Sequence, residues 1–445
     1  MKNNTQHRSR TTAKRVLLLA LLLAAATVAP AQTSFIREDV NILSDNSIIR
    51  QVNDTSWVIY SYYANRATFI LATSNSPVVK VMDLGYRTIV INDFEVTGNT
   101  VYFCGNWNSF PAKAVLGKFS LSSFPYSPNI KVATVDTMMT FDKLDLMNSS
   151  IGLHMLMVGR SSYTDYRIVD TYEMLSPNIV FNIFDQTPDI ADKWDDIAVT
   201  NEHVVVSGRN TNVNQPVLLY LDQPVPGGAF PNPSTATYLQ CAYTANQPVW
   251  IKYCEDDAFA TATISLNNWL YVSGFTGTTH ISTQRSITNY DFMDCVDLAY
   301  NKYNRILDVL VHHSVSNTFS SSIYHLEPSM IYSSPSTVSG HNLSNYWLNS
   351  VTDVDPSAPM YFGLFLTTGF NGGGGELSMQ RYPYTGFKCW EKKEIKMDDE
   401  ELSPKTKEAL LPFYKYNTMY DYFPVTGYEW EMEIICSTTR EEDEE

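Results

Sequence analysis

Apolar and polar residues alternate in short runs along most of this chain, and the runs come in pairs. Residues 93–105 (DFEVTGNTVYFCG) read as an apolar strand, a short polar turn, a second apolar strand and a glycine. Residues 196–208 (DIAVTNEHVVVSG) and 262–274 (ATISLNNWLYVSG) align on that stretch without gaps. Alternation with a period of two marks a half-buried strand, and two such strands joined by a short polar turn make a hairpin. The glycine reads as the residue that ends the second strand.

Looser copies follow the same pattern. They are MLMVG (155–159), YFGLFLTTG (361–369) and VNDTSWVIYS (52–61), the last with Ser in place of Gly. RILDVLV (305–311) divides the long interval from Gly274 to Gly369. The six steps from Ser61 to Gly369 average about 51 residues, the length of a unit of about four strands. The stretches DDIAVTNEHVVVSGRN and ATISLNNWLYVSGFTG, with their V-x-x-x-x-V-Y-V-x-G core, resemble the β-propeller repeats of bacterial exported proteins. The expected fold is therefore all-β, a β-propeller of seven blades over residues 32–387. A β-sandwich pair and a β-solenoid are the alternatives.

The two ends of the chain depart from this pattern. Lys2, Arg8, Arg10, Lys14 and Arg15 precede an unbroken apolar run from Val16 to Ala26, and Ala29-Pro30-Ala31 supplies small residues before Gln32. That is the grammar of a secretory signal peptide over residues 1–31, with an apolar run too short to span a membrane. From Lys388 the chain turns heavily charged, and residues 388–445 read as an appendage. Ser403 and Pro404 look like a helix cap and first helical residue, 429–435 alternates like a strand, and 440–445 is an acidic tail.

Composition sharpens the picture. The chain has 445 residues, 28 of them Tyr, and a formal charge of −16. Loss of residues 1–31, which carry five positive charges, takes the charge to −21. Nucleic acid is not an expected partner, because phosphate binding needs a basic footprint. All six cysteines lie beyond residue 31, and an even count in an exported chain suggests disulfides. Cys241–Cys254 and Cys389–Cys436 are the candidate pairs. Residues 223–235 (QPVPGGAFPNPST) and the Cys241–Cys254 segment read as an insertion on one blade.

Catalytic and metal-binding signatures are absent from the sequence, so neither a cofactor nor a metal is expected. There is no HExxH, GxSxG or Walker loop, and no CxxC. His203 occupies a repeat turn, as a surface residue would, and the neighbours His312 and His313 would point to opposite faces of a strand. Asp93 and Asp196 are repeat-equivalent, which suits strand caps better than catalysts. Residues just after each repeat glycine would emerge on one rim: Trp107, Arg160, Arg209, Asn210, Phe275 and Phe370. Aromatic, amide and guanidinium groups suit stacking on a sugar or gripping a carboxylate. The expectation is an exported binding protein, periplasmic, secreted or at the cell surface, without enzymatic activity and with a glycan or protein partner. A polysaccharide hydrolase or lyase using carboxylates on one propeller face is the alternative. A structural subunit of an envelope assembly is a third.

Overall fold

The fold is seen in a computed structural model. It describes residues 33–437 except 38–46, 173–177, 186–189, 224–234, 327–336, 353–361, 370–376, 384–391, 400–403 and several connections of one to three residues. For 33–37, 337–399 and 433–437 the description is of the backbone alone. The proposed signal peptide, the acidic tail and the Gly-rich stretch 372–375 lie outside the described residues.

The protein is a β-propeller. Six blades are each built from four consecutive antiparallel strands, over residues 48–83, 89–135, 140–185, 193–240, 250–286 and 292–344, and are numbered here 1 to 6. The innermost strands of blades 1 to 6 pack one on the next around an axis. The seven blades expected from the sequence are corrected to six. Instead of a further consecutive repeat, both ends of the chain assemble one closing sheet. In it Tyr346–Thr352, Phe362–Gly369 and Leu377–Pro383 are joined by Thr33–Arg37. Its strand Tyr346–Thr352 packs against the inner strands of blades 6 and 1 and completes the ring.

The hydrophobic core lies between the blades. Val58, Tyr60 and Phe69 of blade 1 bury against Ile91, Phe94 and Phe103 of blade 2, with Phe69 edge-on to Phe94 at 5.6 Å. Leu156 and Val158 of blade 3 meet Trp194, Val204 and Val206 of blade 4 in the same way. Both faces of each blade are thus covered, which a lone four-stranded sheet cannot achieve.

The repeat glycines do something other than end strands. Gly105, Gly159 and Gly208 sit within their second strands, opposite Ile91, Phe141 and Trp194 of the inner strand. A Cβ there would come within 2.0, 2.3 and 2.2 Å of the Val90, Thr140 and Lys193 carbonyl oxygens. Each inner strand bulges immediately afterwards, between 91 and 93, 141 and 143, and 194 and 196. Glycine allows the close approach that the bulged strand requires. The copy at 262–274 is displaced by one strand: Ala258–Ile264 and Leu270–Thr276 are the second and third strands of blade 5, not the first and second.

The C-terminal segment is wholly extended where described. The helix expected to begin at Pro404 is not formed: Lys405–Leu410 is a strand, and the expected cap Ser403 lies outside the described residues. From Lys392 to Ser437 the chain runs around the outside of the propeller against the order of the blades and adds a fifth, antiparallel strand to every sheet. Lys392–Asp399 pairs with blade 6 and then blade 5, and Lys405–Leu410 pairs with blade 4. Phe413–Pro424 pairs with blade 3 and then blade 2. Thr426–Glu431 pairs with blade 1 and Glu433–Ser437 with the closing sheet. Unpaired outer edges attract any extended chain, and a charge-rich strand that occupies them blunts that hazard.

Candidate functional site

The inner strands alternate along the axis, so every second side chain faces the channel. Asp93 and Glu95 of blade 2, Lys143 and Asp145 of blade 3, and Trp250 and Lys252 of blade 5 line a cavity of about 270 Å³. Arg50, Asp196, Tyr253, Asp297 and Lys302 complete its polar wall. Charges of opposite sign interleave. Arg50 reaches Asp93 at 2.8 Å, Glu95 at 3.2 Å and Asp297 at 3.9 Å. Lys143 lies over the Trp250 ring at 4.1 Å, and Lys302 over Tyr253 at 5.8 Å.

Three of the cavity's carboxylates are bound to backbone amides across the blade junctions. Asp93 accepts from its neighbour Phe94 N and from Leu144 N of the next blade, at 3.0 and 3.2 Å. Asp145 accepts from Leu146 N and from Val199 N of the next blade, both at 2.7 Å. Asp196 accepts from Ile197 N at 2.9 Å and from Ile251 N of blade 5 at 3.0 Å. These aspartates are inter-blade clamps. Burial pushes Asp196 up to about 7 against the pull of Lys143. Burial, reinforced by Glu95, likewise pushes Asp145 up to about 7.

The rim residues singled out from the sequence have varied surroundings, and none of the five described lines this cavity. Arg160 forms a bidentate pair with Asp142 at 2.9 and 3.1 Å, and Arg209 with Asp195 at 2.7 and 2.8 Å. Both aspartates are the bulge residues of their own blades. Asp195 also accepts from Val249 N of the next blade at 3.0 Å, so Arg209 belongs to a latch between blades 4 and 5. Asn210 is buried and donates to the Ile190 carbonyl at 3.3 Å. Trp107 is half-buried and lies edge-on to Phe423 of the outer segment at 5.8 Å. Phe275 is wholly buried and stacked on Phe259 at 5.0 Å, because its copy of the repeat is displaced by one strand. Phe370 lies outside the described residues.

The expected Cys241–Cys254 disulfide is not formed. Cys241 is free and buried beside Tyr243 and Tyr271, and Cys254 is buried in the core between blades 5 and 6. Cys104 and Cys295 are also free. Burial pushes the Cys241 thiol up to about 12, and those of Cys104 and Cys295 well above the usual range. Thiols held protonated in this way are poor nucleophiles and poor metal ligands. The Cys389–Cys436 pair lies outside the described side chains.

One array resembles a nucleophile triad. His154 places Nδ1 2.8 Å from Asp170 and Nε2 3.0 Å from Ser149 Oγ. Here, however, the Ser149 hydroxyl donates to the Gly152 carbonyl at 3.0 Å and so is engaged within its own turn. His154 and Asp170 are completely buried, and Asn182 donates to the other Asp170 oxygen at 3.1 Å. The array ties a hairpin turn into blade 3.

The strand topology therefore defines a β-propeller with a polar axial cavity. No family model matches the sequence, and no curated protein matches it. Among solved structures it is similar to the β-propeller domain of the Trilobed protease from Pyrococcus furiosus, at 9% identity and a TM-score of 0.32. The match covers 68% of this chain and 97% of that one. No described helix is long and apolar enough to cross a membrane.

Proposed function

We propose that the protein is an exported binding propeller without catalytic activity, and that its axial cavity takes an acidic saccharide. The observation that carries this reading is the fate of the cavity's aspartates. Asp93, Asp145 and Asp196 are each bound to two backbone amides. A catalytic carboxylate must be able to reach substrate, and these are held in place by the blades themselves. Among the groups left to meet a ligand are the aromatic faces of Trp250 and Tyr253, with the ammonium groups of Lys143 and Lys302 beside them. An aromatic face stacks on the apolar face of a sugar ring, and an ammonium donates to a carboxylate or sulfate.

A second reading has one observation in its favour. Asp145 and Asp196 both titrate near neutrality, as a general acid would. One experiment separates the two. Residues 32–445 are incubated with neutral and acidic oligosaccharides, and thermal shift and released product are read from the same wells. Binding of the acidic sugars without product is expected, and added salt weakens it. Trp250→Ala and Lys302→Ala should each weaken binding at least tenfold and leave the unliganded Tm within a few degrees. Product would establish the hydrolase or lyase reading in its place. A flat response across the panel would sink the saccharide and direct attention to a protein partner.

A further inference from the structure

We infer that Glu202, His203 and Asp257 form a binding site for a divalent transition-metal ion of the zinc type, placed across the junction of blades 4 and 5. The sequence gives no hint of it, because 54 residues separate His203 from Asp257 and they belong to different repeats. The fold brings their two hairpin turns together. Glu202 and His203 close the first turn of blade 4, and Asp257 sits in the first turn of blade 5. Asn201 N donates to the Asp256 carbonyl at 3.3 Å and ties the turns to each other.

One ligand atom from each of the three residues falls within 4.8 Å of the other two. His203 Nδ1 stands 3.4 Å from Asp257 Oδ2. It is buried, and it makes no hydrogen bond. A buried polar atom in that condition calls for a partner. The spacing names one: two ligand atoms each about 2.1 Å from a tetrahedral ion lie about 3.4 Å apart. The surroundings hold the pair in that arrangement. Thr200 Oγ1 donates to Asp257 Oδ1 at 2.5 Å, which fixes the carboxylate with Oδ2 toward the imidazole. Tyr220 packs edge-on to the His203 ring at 5.8 Å and sets its plane. Gly277 borders Asp257, and a Cβ there would lie 2.8 Å from Oδ2, so glycine keeps that oxygen approachable.

The donor set selects the ion. One imidazole nitrogen and two carboxylate oxygens suit zinc or a neighbouring first-row ion, whereas calcium and magnesium prefer oxygen alone. Three protein ligands leave a position for water or for a ligand atom. Glu202 is the exposed member and faces solvent. The site adjoins the axial cavity through Tyr253, whose hydroxyl lies 3.2 Å from both Asn201 Oδ1 and the Asp256 carbonyl, two acceptors for its one proton. It stands independently of what the cavity binds.

The test is calorimetric titration of the chelator-treated, dialysed full chain with zinc chloride alone, beside magnesium and calcium chloride. Expected are one zinc ion per chain, a rise in Tm on binding, and no comparable response to magnesium or calcium. Glu202→Gln and His203→Gln should each weaken zinc at least tenfold, and Asp257→Asn should abolish it. Glu202 is exposed at the turn, so Glu202→Gln remains informative if Asp257→Asn does not fold. Unaltered zinc affinity in His203→Gln, loss of zinc only when the cysteines are alkylated, or no zinc binding by the folded wild type would each overturn the site.

Discussion

At the channel wall, neighbouring blades are joined by aspartates that reach across a junction to single backbone amides; at the outer rim, they are joined by one continuous segment that hydrogen-bonds along each edge. The two regions solve the same problem with different interactions. A wall clamp is short-range, buried and charged, and each acts at one junction. The outer segment is an ordinary backbone ladder, and its hold is distributed over every sheet at once. Its side chains add little depth: Leu411 enters the core between blades 3 and 4, Phe423 packs at blades 1 and 2, and Tyr428 packs on blade 1. Most of the rest of its described face is exposed, including Tyr414, Met419 and Tyr422. The comparison assigns closure of the ring to the rim and the shape of the cavity to the wall.

Removal of residues 388–445 should break the comparison most severely. It strips the fifth strand from every sheet and leaves a ring of bare edges in a chain whose first and last sheet strands come from opposite ends. The expected outcome is loss of cooperative urea unfolding and association into large species on size-exclusion chromatography. A separately made 388–445 peptide added during refolding should restore the monomer. A truncated protein that stays monomeric with an unchanged urea midpoint would show that the wall clamps suffice.

A single wall clamp should matter less, yet measurably. Asp196→Ala deletes the acceptor for Ile251 N and leaves that amide buried at the blade 4–5 junction. An unsatisfied buried donor together with a lost charge-assisted hydrogen bond costs about 3 kcal/mol. Urea denaturation at constant m should report that loss, with Asp196→Asn intermediate because the amide keeps one acceptor oxygen. A loss below about 0.5 kcal/mol would mean that the clamp is ornamental and that the rim carries the junction.

The contrast also explains what could be read from the sequence. The hairpin periodicity was legible because wall strands alternate beyond their bulges, with every second residue facing the channel and the intervening ones, such as Phe94, Leu144 and Ile197, facing the core between blades. The repeat glycines were visible as a pattern, but their cause was not: the crowding comes from a bulge on the partner strand. Phe275 misled because the third strand of blade 5 carries the same V-x-G signature as the second strands elsewhere. The outer segment was legible at 429–435, which alternates like the strands found there, and hidden at Lys405–Leu410 for a physical reason. An edge strand buries few side chains, so Lys405–Leu410 (KTKEAL) carries the composition of a helix and is a strand only because an open sheet edge awaits it. The cavity residues were partly visible as repeat-equivalent acids. Trp250 and Lys252 escaped notice because blade 5 begins before the repeat copy that seemed to define it.

The last expected effect is on pH dependence, and it separates wall from rim most cleanly. A backbone ladder carries no titrating group, whereas Asp145 and Asp196 are raised from an ordinary 3.8 to about 7 by burial. A carboxyl whose folded-state value lies above its unfolded one binds its proton more tightly when folded. Its contribution to stability is therefore fully present below about pH 4 and is lost as pH rises through 7. Between pH 5.5 and 8, ordinary carboxylates are already ionised in both states, so the change there belongs to this pair, to histidines and to the other groups that burial displaces, among them Asp195 and Asp294, which are raised, and Lys118, which is lowered to about 8. The wild-type urea midpoint should fall across that interval. In Asp145→Asn/Asp196→Asn the fall should be smaller, since neither position titrates while the histidines are retained. The difference between the two profiles is the measurement. Parallel profiles would show that these carboxylates ionise normally in the folded protein, and that the wall is as indifferent to pH as the rim.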